Sequence, residues 1–171
     1  DVQWHANAVR FIMETGVASP TRMGELQNIE THADLLYPSA FHAGIALFAR
    51  AAGLEAIPAL NIASAVLTSL AFPITLACLV FAFMRSRGMT AQIGAGLAAI
   101  AVYAAPQILW IPDYVGMWPY MFAIGLTGIS IWQFLNVPGA HASALPAAIG
   151  FLGVVTVHPS AVTVVALAVV L

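Results

Sequence analysis

The chain has 171 residues, of which 61% are hydrophobic and 7% charged; its formal net charge is −2, and all five basic residues are arginines. A soluble domain carries about 25% charged residues, so the composition argues against one and for an all-α polytopic membrane protein in contact with the lipid bilayer. No basic stripe exists to neutralise phosphates, which excludes nucleic acid as a partner, and the single cysteine, Cys78, lies in a hydrophobic run and reads as a small buried hydrophobe.

Nine of the twelve Asp, Glu and Arg residues fall in positions 1–56. This polar front is predicted to be an outer-face loop with amphipathic juxtamembrane helices, and residues 57–171 an incomplete transmembrane bundle. In DVQWHANAVRFIMETG, Asp1 can cap a helix that runs to about Thr15 and stops at Gly16. On a wheel of about 100° per residue, Asp1, His5, Ala8 and Ile12 share one face and Gln3, Asn7, Arg10 and Glu14 the other. Such a helix lies along a membrane surface. Asp1 and His5, spaced i,i+4, place a carboxylate beside an imidazole; the pair reads either as a functional site or as an N-cap with a neighbouring interfacial histidine.

The polar stretch from Ser19 to Asp34 is too long for a tight turn and has the character of a binding loop or lid. Pro38 suits the first turn of a further helix that runs through His42 to about Ala52, before Gly53. His42 on this apolar helix is either a satisfied core histidine or part of a site. No HExxH or H-x-x-x-H spacing is present to hold a metal.

Spans are predicted at about 61–83, 92–111, 120–135 and 145–171, the last broken at His158-Pro159. A hydrocarbon core needs about 20 apolar residues. Arg85 and Arg87 put their connection on the cytoplasmic side. Alternation then places residues 1–56, the IPDYVGMWP connection and the His158-Pro159 break towards the outside, with NVPGAHA inside. Trp110, Tyr114, Trp118 and Tyr120 support an interfacial position for IPDYVGMWP. Either a short helix ends at His158, or one long helix kinks at Pro159. Asp113 reads as an acceptor-binding acid among aromatic faces or as the turn of a Pro-Asp pair. The chain starts at Asp1 without Met and stops inside the apolar run AVTVVALAVVL, so a hydrophobic anchor or signal helix is expected upstream.

These segments resemble the GT-C class of membrane glycosyltransferases, including poorly characterised actinobacterial members. The resemblance rests on the acid that opens the first outer loop, DVQWHANAVRFIMETG, LLYPSAFHAGIALFA, WIPDYVGMWPYMFAIGL and TVHPSAV. It implies an enzyme of the cell envelope, integral to the plasma membrane with its active face outside. That enzyme would transfer a sugar from a polyprenyl-phosphate-linked donor to a glycan or lipid acceptor, with inversion. The implied general base is Asp1. The leaving phosphate would be met by His5, His42 or His158, with Arg22 or Arg50 as further candidates. Acceptor or sugar contacts would come from Asp113, Trp110, Tyr114, Trp118 and Tyr37.

Some members bind a divalent cation, Mg or Mn, through an Asp-x-Asp pair. Here the opening is DVQ, so any second oxygen ligand would have to come from Glu25, Glu30, Asp34 or Asp113. Two other readings compete: a transporter with helices broken at Pro73, Pro106 and Pro159, and a non-catalytic scaffold. In the latter, Gly94, Ala98, Gly125, Gly150 and Gly153 would serve helix packing and partner membrane subunits.

Overall fold

The structure is a computed structural model that describes residues 2–27, 36–137 and 144–170, apart from the side chains of Glu25, Gln27 and Val169. The described residues are all-helical and divide into two compact units, residues 1–66 and 67–171.

In the first unit, α1 (Val2–Thr15) buries His5, Ala8, Val9 and Ile12. These sit at i, i+3, i+4 and i+7, the spacing that lines one side of a helix. The helix ends as its sequence expects: Gly16 takes φ +73° and its N–H reaches the Ile12 carbonyl at 2.9 Å. After α2 (Pro20–Gln27), α3 (Ala40–Ala52) ends at Gly53, φ +66°, another left-handed cap. Pro38 precedes this helix instead of opening it. Small residues at the interface, Ala8 on α1 with Ala46 and Ala49 on α3, let α1 and α3 pack closely. The Arg50 guanidinium donates to the Met13 carbonyl at 2.7 Å, and Ser39 Oγ donates to the Ala18 carbonyl. Leu47 and Phe48, on the other side of α3, are exposed.

The unit boundary falls within α4 (Ala56–Met84), a 29-residue helix. Among the described residues it is the one helix both long and apolar enough to cross a membrane, and only 22% of its most apolar window is buried. At 1.5 Å per residue it extends about 43 Å, beyond a hydrocarbon core of about 30 Å. Ala40–Ala52, Met89–Ala104 and Ala144–Val157 are shorter apolar helices.

Within the second unit, α5 (Met89–Ala101) continues as a 3-10 turn to Ala104 and stops. The helix expected to run to Ile111 thus ends early, because Ala105 precedes Pro106, which disfavours the helical region for its predecessor, and Ala105 leaves that region with φ −107°, ψ 90°. A short α6 (Trp110–Tyr114) and Gly116, φ +78°, lead into α7 (Trp118–Asn136), with Pro119 in its first turn. α7 packs against α8 (Ala144–Val157) and α9 (Ser160–Val170). The last apolar stretch is therefore two helices parted at His158-Pro159, where Pro159 cannot continue the backbone ladder.

The second half of α4 meets α7 where α7 lacks side chains. A Cβ on Gly125 would stand 2.7 Å from the Ala71 Cβ, and one on Gly128 would stand 2.9 Å from Leu79 Cδ1. Thr75 Oγ1 donates to the Gly125 carbonyl across the same contact. Pro73 lies inside α4. It has no N–H to give the carbonyl four residues back, which belongs to Ser69. The Tyr103 hydroxyl donates to that carbonyl at 2.8 Å, supplying a bond the proline cannot make.

Candidate functional site

The buried stripe of α1 and that of α3 carry one imidazole each, and the packing of the two helices joins them. His5 Nδ1 and His42 Nε2 are 2.8 Å apart. The rings lie nearly parallel, at 21°, with centroids 5.1 Å apart, so they meet edge to edge along the hydrogen bond. Trp4 stands edge-on to both, its centroid 5.2 Å from His5 and 5.1 Å from His42. Tyr37 lies 4.2 Å from Trp4 and 5.8 Å from His42, and Phe41 packs edge-on against His42 at 5.5 Å. The result is an aromatic cage around a two-imidazole chain, with His42 0% and His5 3% exposed.

Desolvation governs the electrostatics. Burial, reinforced by His5 alongside, pushes His42 down to about 3 from its usual value near 6.5, and burial pushes the Tyr37 phenol up to about 12. At neutral pH both are uncharged. A neutral His42 can accept His5 Nδ1–H at its Nε2, and then carries its own proton on Nδ1; in the other tautomer the donation is reversed. In both cases His42 Nδ1 is buried without a partner, as is the Trp4 indole N–H. In the first arrangement His42 fixes the orientation of the His5 ring and His5 Nε2 is unprotonated; in the second His5 carries its proton on Nε2.

Other predicted residues fall elsewhere. Asp1, Glu30 and Asp34 lie outside the described residues, as does the side chain of Glu25 on α2. Arg10 and Glu14 form an exposed i,i+4 pair at 3.3 Å. Beside them an open groove of about 260 Å³ runs past Asn7 to the start of α4 at Glu55. Arg22 stands 5.9 Å over the Phe11 ring.

In the second unit, Asp113 Oδ1 accepts the Trp118 indole N–H at 2.8 Å. The Trp110 indole donates to the Tyr103 carbonyl at 3.1 Å. Trp110 is 60% and Tyr114 88% exposed, so both offer open ring faces. His158 Nδ1 accepts the Ser160 N–H at 3.3 Å, capping α9, and its ring meets Tyr120 edge-on at 5.7 Å. Its Nε2 therefore carries the proton of the neutral ring.

Among the described residues no group of three or more His, Cys, Asp or Glu could hold a metal ion. They offer no donor set for the divalent cation that some GT-C enzymes use.

Sequence reasoning brought His5 and Tyr37 forward but did not pair His5 with His42, 37 positions away. It also missed Trp4 and Phe41 as walls of the cage. The available signal was the coincidence of a histidine on the buried stripe of each of two short helices.

Among the described residues these features define an all-helical chain with one helix long and apolar enough to cross a membrane and a buried histidine pair in the segment before it. The chain belongs to a family of unknown function, DUF6541, whose profile matches residues 1–171. No curated protein matches it, and neither does any solved structure.

Proposed function

We propose that the chain is part of a polytopic GT-C membrane glycosyltransferase of the cell envelope, which transfers a sugar from a polyprenyl-phosphate donor to a glycan or lipid acceptor at the outer face. The observation that carries the reading is the His5–His42 pair joining α1 to α3, with His5 four positions after Asp1 in the sequence. In this reaction the acceptor oxygen attacks the anomeric carbon while the Asp1 carboxylate takes its proton. The bond from that carbon to the phosphate oxygen breaks with inversion, and the electron pair leaves on the lipid phosphate. A positioned base contributes about 10²–10⁴-fold.

The departing anion needs donors; in the tautomer where His42 Nε2–H donates to His5 Nδ1, His5 carries its proton on Nε2, the donor this reading requires, with His42 holding the ring from behind. His42, fully enclosed, works through His5. In the second unit, His158 also carries an Nε2–H. The exposed rings of Trp110 and Tyr114 suit stacking against an acceptor sugar, with Asp113 held beside them by Trp118. Besides α4, the helices α5, α7, α8 and α9 would complete the membrane bundle, with Arg85 and Arg87 on the cytoplasmic side.

The test is sugar transfer from a polyprenyl-phosphate donor by the full-length protein in membranes. Asp1→Asn is expected to lower turnover by about 10²–10⁴-fold at equal expression; unchanged turnover removes Asp1 as the base. One observation favours a second reading, a non-catalytic scaffold: the imidazoles are enclosed as a packing core would be. If wild-type protein transfers no sugar from any polyprenyl-phosphate donor, the scaffold reading replaces the enzyme.

A further inference from the structure

At the far end of α4 lies an open groove of about 530 Å³, lined by Phe81, Phe83, Arg85, Trp132, Leu135 and Asn136 among others. We propose that it binds an anionic glycerophospholipid, with Arg85 and Arg87 on the phosphate headgroup and the ring and aliphatic walls along the acyl chains.

Charge is the first argument. In residues 67–171 the charged side chains are Arg85, Arg87 and Asp113, and the carboxylate of Asp113 is engaged by Trp118. The two guanidiniums thus have no acid of their own unit to neutralise them. They share one neighbourhood: Arg87 Cζ stands 6.0 Å over the Phe81 ring, and that ring lines the groove together with Arg85.

The backbone that presents them is fixed by specific bonds. Ser86 Oγ accepts the Gly88 N–H at 3.1 Å, and Gln92 Nε2 donates to the Arg87 carbonyl at 2.9 Å. Arg85 itself takes φ +48°, a left-handed position just after the helix where glycine is the usual residue. An arginine held there despite the steric cost points to a use for its side chain.

The walls select a lipid over a free anion. Phe83 and Leu135 are largely exposed, and Trp132 belongs to the residue type enriched at headgroup level. A phosphate ion would leave these surfaces uncovered, whereas a phospholipid supplies a head for the arginines and chains for the rings. An arginine near an anionic membrane surface is worth about fivefold in affinity, so the two together predict a preference of roughly 25-fold for an anionic over a zwitterionic lipid.

The proposal rests on the reading of α4 as a membrane span, and the experiment separates the two. Full-length protein in neutral detergent is titrated with short-chain phosphatidylglycerol, phosphatidylcholine and inorganic phosphate, with bound lipid counted by native mass spectrometry. Phosphatidylglycerol is expected to bind roughly 25-fold more tightly than phosphatidylcholine. Arg85→Gly suits the left-handed backbone and so keeps the turn; it should lose about fivefold for phosphatidylglycerol alone, while Arg85→Lys retains most of the affinity.

Equal binding of the two lipids, or no effect of Arg85→Gly, would overturn the proposal. So would displacement of phosphatidylglycerol by millimolar phosphate, which would assign the groove to a free anion. Flotation with phosphatidylcholine liposomes reports on the span itself. Protein that floats while showing no lipid preference leaves the span standing and removes the groove; protein that never floats removes both.

Discussion

His42 provides a direct measure of whether the histidine pair is sealed as described. Its imidazole is fully enclosed and held down to about 3, against an ordinary value near 6.5 in an open chain. Between those values the unfolded protein binds a proton that the folded protein does not. Stability therefore rises with pH across this window and is lost as pH falls below about 6.5. At pH 5 the unfolded imidazole is protonated about thirtyfold over its neutral form, and the folded one is almost wholly neutral. At 1.36 kcal/mol per pH unit the loss from pH 7 to pH 5 is about 2 kcal/mol from this one residue.

His42→Gln keeps a side chain able to hydrogen-bond to His5 but does not titrate. Its constant cost appears equally at both pH values and cancels from the difference. Denaturant unfolding in neutral detergent at pH 7 and pH 5, followed by far-UV dichroism, should show the wild type losing about 2 kcal/mol more than the variant over that interval. Equal losses in the two proteins would refute the sealed, neutral imidazole and the positioning role argued for it.

Two further outcomes concern the second unit. Gly128→Ala drives a methyl into Thr75 and Leu79, and overpacking of this kind costs about 1–3 kcal/mol against a gain of about 1 kcal/mol in helix propensity. Gly153→Ala meets nothing within 4 Å and keeps the gain, so thermal unfolding should lower the midpoint of the first variant only. Equal shifts would remove the close α4–α7 contact. Tyr103→Phe should cost about 0.6–1.7 kcal/mol, the range for a side-chain hydrogen bond within a membrane bundle. In a Pro73→Ala background it should cost almost nothing, because residue 73 then offers its own N–H to Ser69. A double-mutant cycle without coupling would show that the phenol does not serve that carbonyl.

Local rules carried the reading of the first unit a long way. The wheel that put His5, Ala8 and Ile12 on one face of α1 matches its buried side, to which the structure adds Val9, and Gly16 and Gly53 marked both stops, because these signals act within one turn of backbone. Apolar content alone did not locate the end of α5. The stretch to Ile111 carries no charge, yet Pro106 acts on its predecessor and ends the helical run at Ala104. The His5–His42 bond was out of reach for a different reason. Periodicity says which side of a helix is buried and is silent on which buried side it meets, so residues 37 positions apart pair only once the α1–α3 packing is known. The partnership of Tyr103 with Ser69 was hidden likewise: a proline announces a vacant carbonyl, and nothing nearby in the chain says which hydroxyl answers it.

That last arrangement carries an evolutionary corollary. A relative that restores an ordinary residue at position 73 has no further use for a hydroxyl at position 103, and one that loses the hydroxyl is under pressure to shed the imino acid. Among the relatives of this chain the two sites are expected to drift as a couple, although 30 positions separate them, and a tyrosine kept without its proline would show that the ring is retained for some other task.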